Sequence, residues 1–317
     1  MCLIILTEEN DYSTTMVLDW VIYYKVEYIL INEKTELSIE QVALSNKQTS
    51  FKLIANNNSI DSINITAFWY RRYFFAIKEN IFNNNTEKSV EDYIHLEQNS
   101  IVNLLYTILI KNFKSIGNPY HRHVDKIIQL FYAKKNGFLI PNSIITDNIM
   151  DVKPLGKDII IKPIKNTYRK KVKGYQYNMY TEKISADYYK IQSTRFSLTL
   201  FQSLVKKKYE LRIFFFKDLF FASAIFSQND QTTCVDFRKY NFNKPNRVVP
   251  YNINYTLKLK LSGLVNSLSL DTGSIDLIVD INDNIYFLEV NPVGQFGMVT
   301  IPCNYNSDKK IIEYLRS

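Results

Sequence analysis

The sequence contains little glycine, proline, cysteine or histidine. Its 317 residues include 8 glycines, 8 prolines, 3 cysteines and 3 histidines. The small number of glycines and prolines excludes collagen-like repeats and long flexible linkers. The cysteines, Cys2, Cys234 and Cys303, have no paired metal-ligand spacing, so we expect reduced thiols and neither a disulfide framework nor a zinc site.

Long hydrophobic runs are also missing. No apolar run reaches the roughly 18 to 20 residues that a membrane-spanning helix needs. The first residues, MCLIILTEENDYS, have no basic region before their apolar run, and this pattern predicts a buried strand and not a signal peptide. We therefore expect a cytoplasmic protein with no membrane partner.

The composition that is present is typical of a folded protein with an anionic partner. Hydrophobic residues make up 46% and charged residues 22% of a chain that is longer than a single core usually requires. The net charge of +8 favours a nucleotide, a nucleic acid, an acidic peptide or a membrane surface as partner. For the charge taken alone, a generally lysine-rich surface is the favoured explanation.

The N-terminal part has the pattern of a small α/β unit. CLIILT at 2–7, a helical pattern at 12–24 and EYILIN at 27–32 predict a βαβ unit. Two more strands are expected at 51–56 and 63–72, and the asparagine-rich residues between them predict a turn or loop.

Two helices follow this unit. Apolar residues at helical spacing predict a long amphipathic helix from Glu87 to Lys111, and the GNP at 117–119 ends it. We expect Asp125 to cap a second helix that stops at Gly137. The predicted divisions are an N-terminal α/β domain at 1–117, a central subdomain at 118–195 and a C-terminal subdomain at 196–317.

The second half is richer in strands, so the predicted fold class is α/β with an α+β C-terminal half. A helix is expected at about 256–270. The turn INDN between two alternating apolar runs predicts a hairpin. The expected strands lie at 140–146, 158–163, 198–205, 210–216, 220–228, 274–280 and 285–291.

The last of these strands carries a candidate metal site. Because side chains alternate along a strand, Glu289 and Asn291 are expected on one face together with Phe287, with Val290 on the other. Asp276 is an acid within the apolar partner strand. Two carboxylates and an amide oxygen suit Mg²⁺ that shares its remaining positions with phosphate. Each residue alone has a structural explanation, such as a hairpin or turn position.

Two lysines are candidates for phosphate contacts. Lys162 ends the strand DIIIK, and Lys126 begins a helix, where free backbone N–H groups favour an anion. For each lysine, a solvated position at the end of its strand or helix is an equally good explanation.

Two arginines lie among apolar residues and need anionic partners. Arg212 lies in YELRIFFF, where Glu210 on the same strand face would be a structural partner. Arg238 lies in CVDFRKY and is a candidate for stabilising charge on a transferred phosphoryl group, with a salt bridge to Asp236 as the alternative.

The order of these motifs resembles the ATP-grasp ligases over about residues 120 to 300. An ordered set of motifs is more specific than any one of them, and FLEVNP with an upstream DL strand is its strongest element. The motifs are DK at 125–126, IIIKP at 159–163, FQSLVKKKYELRIFFF at 201–216, FFASAIFSQ at 220–228, DFR at 236–238, SIDLIVD at 274–280 and FLEVNPVGQFG at 287–297.

Other segments are similar to one branch of that superfamily, the peptide-modifying ligases of graspetide pathways. These are the microviridin ligases and the grasp-with-spasm maturases, which install ester or amide crosslinks in a ribosomally made precursor peptide. The similar segments are WYRR at 69–72, YTEKI at 180–184 and NPVGQFGMV followed by PCNYN.

The resemblance implies an ATP-grasp fold with an N-terminal βαβ pre-ATP-grasp domain, and it implies a role for each matching residue. Lys126 and Lys162 would contact the phosphates of ATP. Arg212 and Arg238 would face the γ-phosphate and the acyl phosphate. The remaining roles are a hinge strand against adenine from Gln202, Ser203, Leu204 and Val205, a ribose contact from Glu210, and Mg²⁺ ligation by Asp276, Glu289 and Asn291.

One feature departs from the resemblance. Many ATP-grasp ligases have a glycine-rich phosphate loop after the KP lysine, whereas this chain has only Gly174 in that interval. Arg169, Lys170, Lys171 and Lys173 either contact phosphate or acidic peptide there, or form a solvated surface.

The predicted function is an ADP-forming ligase that uses ATP and Mg²⁺ to crosslink a precursor peptide with a leader and a core of acidic, Thr, Ser or Lys residues. Two alternatives are a ligase that adds an amino acid to a carboxylate and a non-catalytic basic protein that binds nucleic acid. A homodimer is compatible with the sequence. His121, His123 and Cys303 are expected to be structural, and Trp69 and Tyr70 are expected in the core.

Overall fold

The structure is a computed structural model that describes residues 2–77, 87–165, 169–172, 175–178, 181–184, 195–227 and 245–317. Within these residues the chain forms five β-sheets and six α-helices, which we number in chain order. The helices are α1 (Tyr12–Tyr23), α2 (Lys88–Asn112), α3 (Lys126–Lys135), α4 (Tyr255–Ser267), α5 (Gly297–Cys303) and α6 (Ser307–Arg316).

The N-terminal sheet is parallel and has the strand order β2-β1-β6-β7. The chain runs from β1 through α1 into the parallel neighbour β2, which is the βαβ order expected from the sequence. The short last strand was not predicted. The strands are β1 (Cys2–Leu6), β2 (Glu27–Ile31), β6 (Ile65–Tyr70) and β7 (Lys114–Ile116).

Helices cover both faces of this sheet, as continuous apolar strands require. In β1, Ile4 and Leu6 pack with the second half of α2, while Leu3 and Ile5 pack with α1 and α6. The run LIIL is therefore apolar throughout because both of its faces are buried. Asp11 begins α1 and accepts a hydrogen bond of 2.8 Å from the backbone N–H of Thr14.

A small antiparallel sheet with the order β3-β4-β5 follows β2. Only its middle strand was expected from the sequence. The predicted turn lies at Asn56-Asn57, and the residues after it, which were not predicted as a strand, pair back onto β4 as β5. The strands are β3 (Leu37–Leu44), β4 (Thr49–Ala55) and β5 (Asn58–Asp61).

The central part of the chain forms a four-stranded sheet, β12-β9-β13-β8, and a separate hairpin, β10-β11. Phe201 on β13 packs against Val152 and Ile159 in the core of this sheet. The strands are β8 (Ser143–Asn148), β9 (Ile159–Lys162), β10 (Arg169–Val172), β11 (Tyr175–Asn178), β12 (Glu182–Lys183) and β13 (Arg195–Ser203).

The C-terminal sheet has the order β16-β15-β14-β17-β18 and is antiparallel throughout. The predicted hairpin at the end of the sheet is confirmed, with β17 paired to β18. The strands are β14 (Lys207–Phe216), β15 (Leu219–Phe226), β16 (Arg247–Pro250), β17 (Thr272–Asp280) and β18 (Ile285–Asn291).

Strand β14 divides its side chains between a core and the candidate site. Leu211, Ile213 and Phe215 pack against α4 in the largest core cluster. On the other face, Phe214 and Phe216 pack near α5 and α6 at one end of the strand. Two charged residues occupy that same face at the opposite end. No helix among the described residues is long and apolar enough to cross a membrane.

Candidate functional site

Four predicted site residues form a row across the C-terminal sheet, which we call the charged row. Arg212 on β14, Asp276 on β17 and Glu289 on β18 are directly opposite one another in the register. Opposed residues on neighbouring strands present their side chains on one face. Lys126, the first residue of α3, extends the row because its Nζ lies 3.5 Å from Glu289 Oε2.

The pair at the centre of the sheet is largely buried. Arg212 Nη1 donates to both carboxylate oxygens of Asp276, at 3.0 and 3.1 Å, and the two side chains are 10% and 12% exposed. The sequence suggested Glu210 as the structural partner of Arg212. The cross-strand register instead brings Asp276 opposite Arg212, and Asp276 is not a solvent-facing hairpin residue.

A β-bulge sets the orientation of Glu289. Asp276 pairs with Glu289, but the next residue, Leu277, pairs with Phe287, so one extra residue is inserted in β18. The expectation that Phe287 shares the face of Glu289 is therefore wrong. Phe287 and Val290 both lie in the core cluster under the sheet, and Glu289 is left on the opposite face.

Helix α3 holds the outer edge of β18 in place. The Gln129 amide accepts from the backbone N–H of Val290 at 2.8 Å and donates to the Val290 carbonyl at 2.9 Å. Lys126 lies one helical turn before Gln129 and thus points to the same strand. Asp125 occupies the N-cap position as predicted, but its side chain makes no capping hydrogen bond.

Asn291 ends the strand and begins a tight turn. It is exposed, and its Oδ1 accepts from the Val293 N–H at 3.2 Å, while its carbonyl accepts from the Gly294 N–H at 3.0 Å. Asn291 lies opposite Ser274, next to the charged row along both strands. Its amide oxygen is thus positioned by the turn and lies at the end of the strand that carries Glu289.

Glu210 lies on the face of β14 that carries Arg212. It forms a buried ion pair with Lys207, and its Oε1 accepts from Ser227 Oγ at 3.2 Å. Burial raises the pKa of the Glu210 carboxyl above its ordinary value, an effect that Lys207 opposes and the nearby Asp276 charge strengthens. Lys207 was not identified from the sequence, although its position three residues before Glu210 was a usable signal.

The predicted hinge residues connect the central and C-terminal sheets. Gln202 is 2% exposed, and its Nε2 donates to Ser143 Oγ at 2.9 Å, whereas its Oε1 has no hydrogen-bond partner among the described residues. A buried amide oxygen without a donor is costly unless a ligand supplies one. Ser203, Leu204 and Val205 line a cavity of about 410 Å³ between the ends of the two sheets.

The remaining predicted residues are less fully placed. Lys162 ends β9 in the central sheet and pairs in register with Leu200 on β13. Arg238 lies outside the described residues, as do Asp236 and Cys234. Strand β10 contains Arg169, Lys170 and Lys171, whereas Lys173 and Gly174 fall outside the described residues.

A clamp that the sequence did not predict joins the N-terminal unit to the turn after β18. Arg71 is 5% exposed, donates from Nη1 to the Val293 carbonyl at 2.6 Å and lies 3.2 Å from Asp11 Oδ1. Arg72 contacts the same two residues, with 3.3 Å to Asp11 Oδ2 and 3.3 Å to the Val293 carbonyl. Burial lowers the pKa of Arg71 to about 10, despite the opposing effect of Asp11. Arg71 remains charged at neutral pH. We call this the arginine clamp.

The remaining candidates lie in surroundings that suit a structural role. Trp69 and Tyr70 are 2% and 3% exposed, as expected for core residues. His121 Nδ1 lies 2.7 Å from the Ser269 carbonyl. Cys303 is buried, and burial raises the pKa of its thiol, which disfavours the reactive thiolate.

Comparison with known proteins gives solved structures only. No family model and no curated protein matches the chain. An ATP-grasp ligase from Chryseobacterium gregarium, described as RiPP-associated and in complex with ADP and a leader and core peptide, is 23% identical with a TM-score of 0.79 over 99% of this chain and 95% of that one.

Two further structures are similar over nearly their whole length. The macrocyclase MdnC from Microcystis aeruginosa, bound with precursor peptide MdnA, is 20% identical with a TM-score of 0.76 and coverage of 100% and 99%. The ATP-grasp ligase PsnB, complexed with minimal precursor, Mg and ADP, is 16% identical with a TM-score of 0.67 and coverage of 99% and 96%. These similarities show that the chain has the ATP-grasp fold expected from its motif order.

Proposed function

We propose that this protein is an ADP-forming, ATP-dependent carboxylate ligase that crosslinks acidic side chains of a ribosomally made precursor peptide to hydroxyl or amine groups of the same peptide. The observation that carries the proposal is the charged row, placed on the C-terminal sheet of an ATP-grasp fold. Solved structures with this fold were obtained with precursor peptides and ADP, which makes a peptide the substrate that we favour.

The donor set of the row fits Mg²⁺. Asp276 and Glu289 are neighbouring carboxylates, and Asn291 adds an amide oxygen at the end of the same strand. Mg²⁺ is commonly held by one or two carboxylates together with substrate phosphates. When bound there, Mg²⁺ supplies positive charge that stabilises the transferred phosphoryl group.

The charged row contains two cations and two carboxylates, so its charges offset one another. This suggests how the row binds a nucleotide. Arg212 and Lys126 offset Asp276 and Glu289. The Lys126 and Glu289 side chains are 17% and 18% exposed, so a bound Mg²⁺ and phosphate would have to replace their contact as the pair opens. We assign Lys126, together with Lys162, to the phosphates of ATP, because a lysine released from Glu289 remains next to the metal ligands.

The nucleoside end of ATP is assigned to the hinge. The buried Gln202 Oε1 needs a donor, and Ser203, Leu204 and Val205 line the adjacent 410 Å³ cavity. An adenine amino group is a donor of the required kind. Glu210 lies on β14, on the face that carries Arg212, and is assigned to the ribose.

In the reaction, a peptide carboxylate attacks the γ-phosphorus of ATP, the bond from that phosphorus to the bridging oxygen breaks, and ADP leaves. The resulting acyl phosphate is attacked by a hydroxyl or amine of the same peptide, which loses its proton while phosphate is expelled. We assign Arg212, which is held by its hydrogen bonds to Asp276, to the phosphoryl oxygens, and Arg238 to the acyl phosphate.

The domain arrangement follows the same proposal. Residues 1–117 form the pre-ATP-grasp domain, 118–195 the central subdomain and 196–317 the C-terminal subdomain with the Mg-ATP site. We further propose a core peptide of acidic, Thr, Ser or Lys residues, a homodimer as the assembly, and action in the cytoplasm, where ATP and a newly made peptide meet.

The test is the substitution Glu289→Gln. It removes one metal-ligand charge but keeps the size of the side chain, so we expect ADP release in the presence of Mg²⁺ and a candidate precursor to fall about 100-fold or more. Thermal denaturation checks that the variant is folded at the assay temperature, because the Lys126 and Glu289 side chains are only 17% and 18% exposed and loss of their pair can lower the Tm. Glu97→Gln, at an exposed position of α2, is the matched control and should retain full turnover.

Mass spectrometry of the peptide separates the related functions. A crosslink within the peptide removes one water per ring, whereas conjugation adds the mass of an amino acid less one water. Normal ADP release by Glu289→Gln would show that the charged row is not the Mg-ATP site. Salt-sensitive nucleic-acid binding without affinity for Mg-ATP would instead support the non-catalytic alternative.

A further inference from the structure

A cavity outside the charged row and the hinge is formed by four parts of the chain. Its volume is about 420 Å³. Tyr12 contributes from α1, Ile225 from β15, Val248 from β16, and Gln295, Gly297, Met298 and Ile301 from the segment that follows β18. This volume is within the range of about 300 to 1,000 Å³ that small-molecule sites span, so it has room for one or two large side chains.

The wall of the cavity favours an uncharged, apolar occupant. None of its described lining residues is Asp, Glu, Lys or Arg. Tyr12 and Ile301 are large side chains that are 60% and 55% exposed. Covering them with an apolar group removes hydrocarbon from water and is favourable, whereas a carboxylate placed there would lose hydration without gaining a partner.

A short stretch of chain links this cavity to the proposed reaction site. Gln295 follows Asn291 by four residues, and an extended chain spans at most about 3.5 Å per residue, so their Cα atoms are within about 14 Å of each other. The turn shortens this span, because Gly294 N–H donates to the Asn291 carbonyl at 3.0 Å and Ser274 Oγ donates to the Gln295 carbonyl at 3.4 Å.

The neighbouring strand suits a peptide as the occupant. Within the described residues, β16 is the edge strand of the C-terminal sheet, and Val248 lies both on this strand and in the cavity wall. The outer side of an edge strand carries backbone donors and acceptors that an extended peptide can use, while a nearby pocket takes one of its side chains.

We propose that this cavity is a specificity subsite that binds a large apolar side chain, such as Leu, Met or Phe, of the substrate peptide near the acidic residue that is activated. This inference rests on the proposed function and adds a requirement to it. The core peptide carries an apolar residue within a few positions of the modified acid, and the enzyme selects for it.

The test uses the protein with Mg-ATP and sets of synthetic peptides that contain Thr and Glu and carry Leu, Phe, Ser or Lys, in turn, at each position within four residues of the Glu. Because burial of a Leu or Phe side chain favours binding by about 10- to 100-fold, we expect kcat/KM for ADP release to favour these peptides over the Ser peptide by that factor. Ile301→Trp places a larger side chain at the wall of the cavity and should reduce this ratio several-fold.

Leu259→Trp is the matched control. Leu259 lies on α4, is 55% exposed like Ile301, and belongs to neither this cavity nor the hinge cavity. We expect this variant to keep both the turnover and the preference of the wild type. Equal kcat/KM for the Leu, Phe and Ser peptides, or a preference that Ile301→Trp does not change, would overturn the subsite.

A second measurement does not depend on turnover. A peptide with a diazirine analogue of leucine beside the Glu is irradiated with the protein, and the adduct is mapped by mass spectrometry. Labelling at 297–303 or at Tyr12 supports the subsite, even if no peptide is crosslinked and the proposed reaction fails. Peptide crosslinking with labelling elsewhere supports the reaction and refutes the subsite, and absence of both results refutes both proposals.

Discussion

The arginine clamp leads to a prediction about both stability and activity. Arg71 contacts Asp11 at 3.2 Å, the Val293 carbonyl at 2.6 Å and Ser13 Oγ at 3.4 Å, and it is nearly fully buried. Arg71→Gln removes the charge that balances Asp11 and one donor from the turn that follows Asn291. Removing one partner of a buried ion pair costs about 3 to 5 kcal/mol.

We expect the lower end of this range, because Arg72 Nε remains 3.3 Å from Asp11 Oδ2. A loss of about 3 kcal/mol should lower the Tm by roughly 4 to 5 °C for a chain of 317 residues, at about 2.1 cal/mol/K of unfolding entropy per residue. The same substitution should also misplace the turn that carries Asn291. A displacement of about 1 Å at a reacting centre can reduce kcat about 100-fold, so we expect kcat for ADP release to fall by one to two orders of magnitude.

The assay combines thermal denaturation with ADP release measured well below the Tm of the variant, where the protein is folded by circular dichroism. Arg71→Lys keeps the charge but loses the planar fork that reaches both Asp11 and Val293, so its kcat and Tm should be intermediate. Arg72→Gln is the graded comparison, because its side chain is 27% exposed and its contacts are longer. Wild-type kcat in folded Arg71→Gln would refute a positioning role, and an unchanged Tm would refute the clamp itself.

Two further predictions concern single residues. Because the pKa of Glu210 is raised in the folded state, that state binds its proton more tightly than the unfolded chain does, and stability should fall as pH rises from the ordinary Glu pKa through the raised value. Urea midpoints measured between about pH 4 and pH 7 should therefore depend less on pH in Glu210→Gln, and an equal dependence in both proteins would contradict the burial argument. Gly117→Ala should destabilise the protein by about 1 to 3 kcal/mol or more, because φ is +85° and the added Cβ would lie 2.1 Å from the Tyr70 carbonyl oxygen. Gly156→Ala, with φ of +93° and no atom within 4 Å of the added Cβ, is the control and should show only the cost of the backbone conformation in thermal denaturation.

The sequence predicted helices and strands correctly where the apolar residues recur at a regular period. Strand β1, helix α2 and the β17-β18 hairpin follow the apolar patterns that predicted them. The pattern failed at β18 because a bulge inserts one residue, and strict alternation then assigns Phe287 to the wrong face. It also failed for β3, β5 and β7, whose residues alternate weakly and become strands by pairing with neighbours already in place.

The sequence identified residues of the candidate site, but it did not predict which of them form ion pairs with one another. Asp276 and Glu289 were recognised because acids are costly within apolar strands. The partner of Arg212 depends on the register between β14 and β17, which no local spacing encodes. The clamp is a stronger case, since Arg71 and Val293 are 222 residues apart and Val293 contributes only a backbone carbonyl, which carries no side-chain signal.

The same clamp has a consequence for the order in which the chain becomes stable. The sheet of β1, β2, β6 and β7 is complete in sequence at Ile116, yet Arg71 needs Val293, Gly117 N–H donates to Asp271 at 3.1 Å, and Ile311 on α6 covers the α1 face of the sheet. These partners are synthesised well after the sheet itself. The N-terminal unit therefore keeps charged and apolar surface without its native cover until the chain through α6 has been made, so it reaches its final stability late in folding.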